Sequence, residues 1–297
     1  MSLAYAFIGC VELSHRALEH LLGLEGLELV GVVTRRASPF NSDFRSLEDL
    51  ARRAGCPVWL AEGRSQAELA AFLRRVRPEV VFCLGWSHLL DREVLAVPPR
   101  GVIGYHPAAL PANRGRHPLI WALALGLPRT ASTFFLMDEG ADSGDIVSQV
   151  PVEITPEDDA ASLYRKVSRT ALDQLTEIAR RLREGTLEAR PQDHRRANTW
   201  RRRTPADGRI DWRMSVRAIY NLVRALTRPY PGAHCLWQGR EAKVWRCRVG
   251  PPAPHNLEPG KVLAVEADGS IVVKCYDGSV VLCEHELEPL PEVGSYL

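Results

Sequence analysis

Two stretches of this chain combine residue types and spacings that can do chemistry. The first runs from Gly104 to Leu123 and begins Gly-Tyr-His-Pro-Ala-Ala-Leu-Pro-Ala-Asn-Arg-Gly. An apolar run feeds straight into a loop that holds His106, two prolines and Gly115, and Pro118 suits the first turn of a following helix. A histidine at the carboxyl end of a buried strand is well placed for acid/base work near neutral pH, although a lone histidine is more often structural. The second stretch, Met-Asp-Glu-Gly-Ala-Asp-Ser-Gly-Asp-Ile from Met137 to Ile146, packs four carboxylates and two glycines between two apolar runs. Its glycines permit tight turns, and a carboxylate here could orient a histidine. A metal site needs several converging ligands, and no histidine lies in this loop, so no metal is expected.

The elements that must position these residues read as an alternation of strand and helix. Apolar runs at Ala4–Ile8, Leu29–Val33, Val58–Leu60, Val80–Leu84 and Val102–Tyr105 predict strands. Between them fall a helix capped by Ser14 with Ala17, Leu18, Leu21 and Leu22 on one face, a second capped by Ser46, and a third over Glu68–Val76. Continuous apolar strands separated by amphipathic helices predict a parallel sheet covered on both faces. Ligands of such sheets bind outside the carboxyl ends of the strands, which points at Gly85–Leu90 and His106–Gly115. Ser132–Met137 and Ile146–Ile154 read as two more strands, and a long amphipathic helix starts at Asp158 or Asp159. Residues 184–207 turn polar and basic, with Arg195, Arg196, Arg201, Arg202 and Arg203, and read as a linker that is either a solvated connector or a phosphate-contacting patch. A helix near Ser215–Leu226 follows, then five short strands with turn signals at Gln238-Gly239, Asp268-Gly269 and Asp277-Gly278. The expected organisation is α/β: a Rossmann-like parallel-sheet domain over 1–183, the linker, and a smaller OB-like β-barrel domain over 208–297.

Composition narrows the function classes. The chain has 297 residues and a formal net charge of +2, too even a balance to argue nucleic-acid binding by itself. Seven cysteines include no Cys-x-x-Cys pair and several sit in apolar runs, so they read as free, buried thiols of a reducing compartment. The first apolar run lacks a basic leader and no stretch approaches the roughly 20 apolar residues of a membrane span, so a cytoplasmic protein without membrane attachment is expected. Gly9-Cys-Val-Glu-Leu-Ser lacks the G-x-G-x-x-G loop of a dinucleotide-dependent oxidoreductase.

Taken together, His-Pro-Ala-Ala-Leu-Pro-Ala-Asn-Arg-Gly from His106 and Met-Asp-Glu-Gly-Ala-Asp-Ser-Gly-Asp-Ile from Met137, with Trp121-Ala-Leu between them, resemble the formyltransferase family. That family includes methionyl-tRNA formyltransferase, sugar N-formyltransferases, glycinamide ribonucleotide formyltransferase and the formyl domain of the bifunctional aminoarabinose-lipid enzyme. The resemblance extends to Phe7–Leu22, Ile210-Asp-Trp, Arg228-Pro-Tyr-Pro-Gly-Ala and Val244-Trp245, and so covers nearly the whole chain.

The resemblance implies transfer of a formyl group from 10-formyltetrahydrofolate to a primary amine. His106 then stabilises the tetrahedral oxyanion and helps move protons, and Asp142 matches the family's catalytic aspartate, orienting His106 and favouring its protonated form. The pterin is expected along the loop with Trp86, His88, Leu89 and Leu90, and the pocket is shaped by Leu110, Pro111, Arg114 and Gly115. Asp138 is counted with the cofactor-binding positions, though Asp138 and Asp145 read first as structural. One departure stands out: the family usually has Asn two residues before the histidine, and here that position is Gly104. A backbone N–H or Asn113 could substitute, the substrate or transferred group could differ, or the chain could be a folate-binding relative without turnover. Arg228-Pro-Tyr-Pro-Gly-Ala is closer to the aminoarabinose-type pattern, so the expected acceptor is a nucleotide-linked amino sugar, with initiator tRNA the second choice. Homodimerisation stays open.

Overall fold

The computed structural model describes residues 2–38 and 42–297. Residues 1 and 39–41, which fall within the first expected domain, lie outside the described set. In chain order the elements are β1 (Leu3–Ile8), α1 (Glu12–Leu22), β2 (Leu27–Thr34), α2 (Glu48–Arg53), β3 (Val58–Leu60), α3 (Gln66–Val76), β4 (Val80–Cys83), α4 (Arg92–Leu95), β5 (Val102–His106), β6 (Arg114–Gly115), α5 (Pro118–Ala124), β7 (Arg129–Leu136), β8 (Ile146–Glu153), α6 (Ala160–Glu184) and β9 (Thr199–Trp200). They continue with α7 (Val216–Leu226), β10 (Ala233–Trp237), β11 (Arg240–Val249), β12 (Val262–Val265), β13 (Ile271–Cys275) and β14 (Gly278–His285). Two compact units emerge. One comprises Met1–Pro118, Thr130–Val152 and Arg165–Trp200; the other comprises Leu119–Arg129, Glu153–Tyr164 and Arg201–Leu297.

The first unit is a seven-stranded sheet in the order β3-β2-β1-β4-β5-β7-β8. The first five strands pair in parallel. Burial explains their sequences: β4 is buried throughout, and in β1 only Ala4 is partly exposed. β7 departs from the expected all-parallel order, running antiparallel to β5 with Gly104 opposite Phe135 and His106 opposite Thr133. An apolar run records burial but not strand direction, and mixed sheets of this kind are common. The α6 stretch in this unit buries Val167, Ala171, Leu175 and Ile178, and Gln174 Nε2 donates to Ser132 O (3.2 Å) and Ser148 Oγ (2.7 Å).

Two helix starts differ from those the local sequence predicts. Ser65 rather than Glu68 marks the start of α3: the Ser65 hydroxyl accepts from Glu68 N (3.3 Å) and the Glu68 carboxylate accepts from Ser65 N (2.8 Å), a reciprocal cap. Ser14 is not the cap of α1, which begins at Glu12. Its hydroxyl accepts from Val11 N (3.2 Å) and donates to the buried carbonyl of Leu84 (2.6 Å), so it ties the first turn of α1 to the end of β4 instead.

The second unit holds a five-stranded antiparallel sheet, order β10-β11-β14-β13-β12, where a small barrel was expected. Helix α7 packs against β10, β11 and β14; Ser215 caps it, and Ile219, Leu222, Val223 and Leu226 are buried. Gln238 and Gly239, both with positive φ, form the two-residue turn between β10 and β11 that the sequence announces. None of the seven cysteines is in a disulfide; burial pushes the Cys56, Cys235 and Cys275 thiols up to about 11 and Cys247 up to about 12. Among the described residues no helix is long and apolar enough to cross a membrane.

Candidate active site

His106 is the last residue of β5, and its side chain is 6% exposed. Its Nε2 donates to the carbonyl of Asn113 (2.8 Å), and its Nδ1 lies 3.5 Å from Asp142 Oδ2. Both ring nitrogens therefore face acceptors. The two residues lie 36 positions apart in sequence; β7 runs antiparallel to β5, and the β7–β8 loop reaches back to the end of β5, where Asp142 also accepts from Gly115 N.

The Asp142 loop is tightly specified. Asp142 has φ +54°, a left-handed conformation that Asp tolerates because its short side chain can hydrogen-bond locally; here Oδ2 accepts from Gly115 N (2.8 Å). A Cβ at Gly144 would lie 1.7 Å from the Leu136 carbonyl oxygen, so only glycine fits. Asp138 turns the other way: its Oδ1 accepts from Gly140 N (3.0 Å) and Ser143 Oγ (2.6 Å), closing the loop on itself. It borders a surface cleft of about 560 Å³ shared with Arg92, Leu95 and Met137. Among the described residues no three His, Cys, Asp or Glu side chains converge as metal ligands would.

The loop after β5 is held from below. Thr133 Oγ1 donates to Ala108 O (2.7 Å) and Gln149 Nε2 donates to Leu110 O (2.9 Å), while Leu110 is buried and Pro111 follows a cis peptide bond. Arg114 and Gly115 form β6, which pairs with β9; a Cβ at Gly115 would lie 2.3 Å from Trp200 O. The Arg114 guanidinium turns away from His106, donating to Gln192 Oε1 (2.7 Å) and contacting His194 Nδ1 (3.1 Å).

The loop after β4 carries Trp86, His88, Leu89 and Leu90. Leu90 is buried and belongs to the core around α3, with Trp86 packed against it, whereas Leu89 is 56% exposed. Trp86 and His88 meet edge to face at 5.8 Å. Two arginines converge here: Arg35 Nη2 contacts His88 Nε2 (2.8 Å) with its guanidinium 5.4 Å from the Trp86 ring, and Arg116 Nη2 donates to Ser87 O (2.7 Å). Partial burial, then Arg35 and Arg116, hold the His88 imidazole below its ordinary value, so its ring is neutral and can accept from Arg35.

Two residues that sequence reasoning missed shape the site. A Cβ at Gly104 would sit 2.7 Å from Met137 Cγ and 3.0 Å from Phe135 Cζ, so Met137 fills the space a side chain at 104 would need. Met137 packs against both the Leu90 core and the small cluster of Leu110, Phe135 and Ile146. Asn113, considered as a replacement donor, contributes its carbonyl to His106 instead. The second missed residue is Gln192, buried between the two site loops. No periodicity marks it, since it stands alone in a polar, arginine-rich stretch.

The fold is a mostly parallel α/β sheet that carries a His–Asp contact at the end of β5. The formyl transferase family model matches residues 20–178, and the formyl transferase C-terminal domain model matches 202–291. The chain belongs to the formyl transferase family. Among solved structures it is similar to HypX from Aquifex aeolicus (18% identity, TM-score 0.69, covering 96% of this chain) and spans 44% of that protein's length. It is similar over 94% of its length, and 98% of the other's, to an N-formyltransferase from Helicobacter canadensis in complex with folinic acid and dTDP-3-aminofucose (16%, TM-score 0.71). It is also similar to methionyl-tRNA formyltransferase from Clostridium thermocellum (15% identity, TM-score 0.62, covering 84% of this chain and 94% of the other).

Proposed function

We propose that the chain transfers the formyl group of 10-formyltetrahydrofolate to the primary amine of a nucleotide-linked amino sugar, with His106 and Asp142 as the catalytic pair. The buried His106–Asp142 contact at the end of β5, inside the segment the family model matches, carries this reading. The neutral amine attacks the formyl carbon, the C–N bond to the folate N10 breaks, and the amine proton passes to N10 through the pair. The Nε2–H that Asn113 holds is the donor for the oxyanion; such bonds often retarget once substrate is bound. Met137 leaves β5 no side-chain donor at 104, so His106 bears that task. The folate lies between the 85–90 and 107–115 loops, with Trp86, His88, Leu89, Leu90, Leu110, Pro111, Arg114 and Gly115 around it, and Asp138 serves the loop's shape.

An anionic acceptor is supported by the two cations Arg35 and Arg116, which reach the same loop through His88 and Ser87 O. A polyanion such as tRNA is less well served. Arg195 is engaged with Asp193 (3.0 Å), Arg201 with Asp207, and Arg203 lies 4.6 Å from the Trp121 ring centre. The test is incubation with 10-formyltetrahydrofolate and a panel of nucleotide-linked amino sugars, following free tetrahydrofolate and product mass. A product heavier by one formyl group, formed by the wild type and not by His106→Ala, is expected. Formylation of methionyl-tRNA alone would replace the acceptor, and folate binding without any transfer would overturn the reading.

A further inference from the structure

The segment between α6 and β9 is fixed along the site rather than strung past it. Arg190 and Ile146 exchange both backbone hydrogen bonds (2.8 and 2.9 Å). Further on, Asn198 Oδ1 accepts from Asn113 N (2.8 Å) and Asn198 O from Arg114 N (3.0 Å), before β9 pairs with β6. Gln192 lies between these anchors and is 5% exposed. Its Nε2 donates to Asp142 O (3.0 Å) and Gly144 O (2.6 Å), and its Oε1 accepts from Arg114 (2.7 Å). Both amide protons are thus spent on the Asp142 loop, and the oxygen on the neighbouring loop.

We propose that Gln192 is a positioning residue for the His106–Asp142 pair: by gripping the carbonyls on either side of Ser143 it fixes the left-handed turn at Asp142 and aims the carboxylate at His106. This rests on the function proposed above. Among the described residues no other donor meets these two carbonyls, so loss of the amide frees the turn to relax. A displacement of an ångström at such a pair is enough to slow proton transfer.

The experiment separates the two ends of the amide. Gln192→Met keeps the volume and removes every hydrogen bond. Gln192→Glu keeps an acceptor for Arg114 but sets a carboxylate against the two carbonyls. Both variants should lose about tenfold in kcat, the scale of one mispositioned hydrogen bond, with KM for the formyl donor little changed. In both, the ¹⁵N resonances of the His106 ring should shift, a readout that needs no turnover and so stands even if the acceptor is wrong. Wild-type kcat and ring resonances in Gln192→Glu would assign the residue to Arg114 alone and overturn the proposal. So would losses in both variants that track a fall in melting temperature, with unshifted ring resonances in the folded fraction.

Discussion

The loops that leave β4 and β5 start from adjacent strands and are held in opposite ways. The β5 loop is fixed from beneath by short bonds from the buried Thr133 to Ala108 O and from the partly buried Gln149 to Leu110 O. The β4 loop is held by long polar side chains at the surface: Arg116 on Ser87 O, Gln66 on Leu89 O (2.7 Å), and Arg35 on His88. The first arrangement suits groups that must not move during reaction; the second suits a loop that adapts to a ligand. On the proposed function, chemistry and recognition then lie side by side on one sheet edge but on scaffolds of different stiffness.

That contrast predicts where substitutions will act. His106→Ala should lower kcat by about 10²–10⁴, the usual worth of a positioned acid/base group, while the melting temperature stays near wild type. Gly144→Ala strikes the rigid side through its backbone. With a Cβ 1.7 Å from Leu136 O, the loss of stability in chemical denaturation should reach about 3 kcal/mol or more. Equal stability would mean that the loop is softer than its contacts imply. Arg116→Ala acts on the adaptable side. It should raise KM for a phosphate-bearing acceptor about tenfold, the scale of one charge-assisted hydrogen bond, and leave kcat nearly unchanged; a fall in kcat alone would move Arg116 to the chemical side.

The smallest effect concerns pH. His88 is held below the ordinary imidazole value, first by partial burial and then by Arg35 and Arg116. Because the folded value is depressed, the unfolded chain takes the proton first. The contribution of His88 is therefore complete above the ordinary imidazole range near pH 6.5 and is lost as pH falls below it. Protonation also ends the Arg35 contact, so KM should rise on the acid side, and His88→Ala should flatten that rise.

Much of this was legible in the sequence, for reasons that also mark the limits. The parallel strands announced themselves as apolar runs, and His106 and Asp142 stood at motif positions that the structure brings within 3.5 Å. The direction of β7 was not legible, because burial is indifferent to strand polarity. Nor was the two-residue pairing of β6 with β9, which is too short to leave a period. Met137 looked like the end of an apolar strand; only its distance to the bare backbone of Gly104 shows what it displaces. Gln192 lay in a stretch whose composition suggested a solvated linker, and a single buried amide leaves no pattern against so many exposed arginines.

The claim that His106 and Asp142 act as one unit is tested most directly by a double-mutant cycle on formyl transfer. His106→Ala, Asp142→Ala and the double variant would be compared by kcat at saturating donor and acceptor. Residues that work as a pair are strongly non-additive, so the double variant should be no slower than His106→Ala. If the two losses multiply, each residue acts alone and the contact between them is structural.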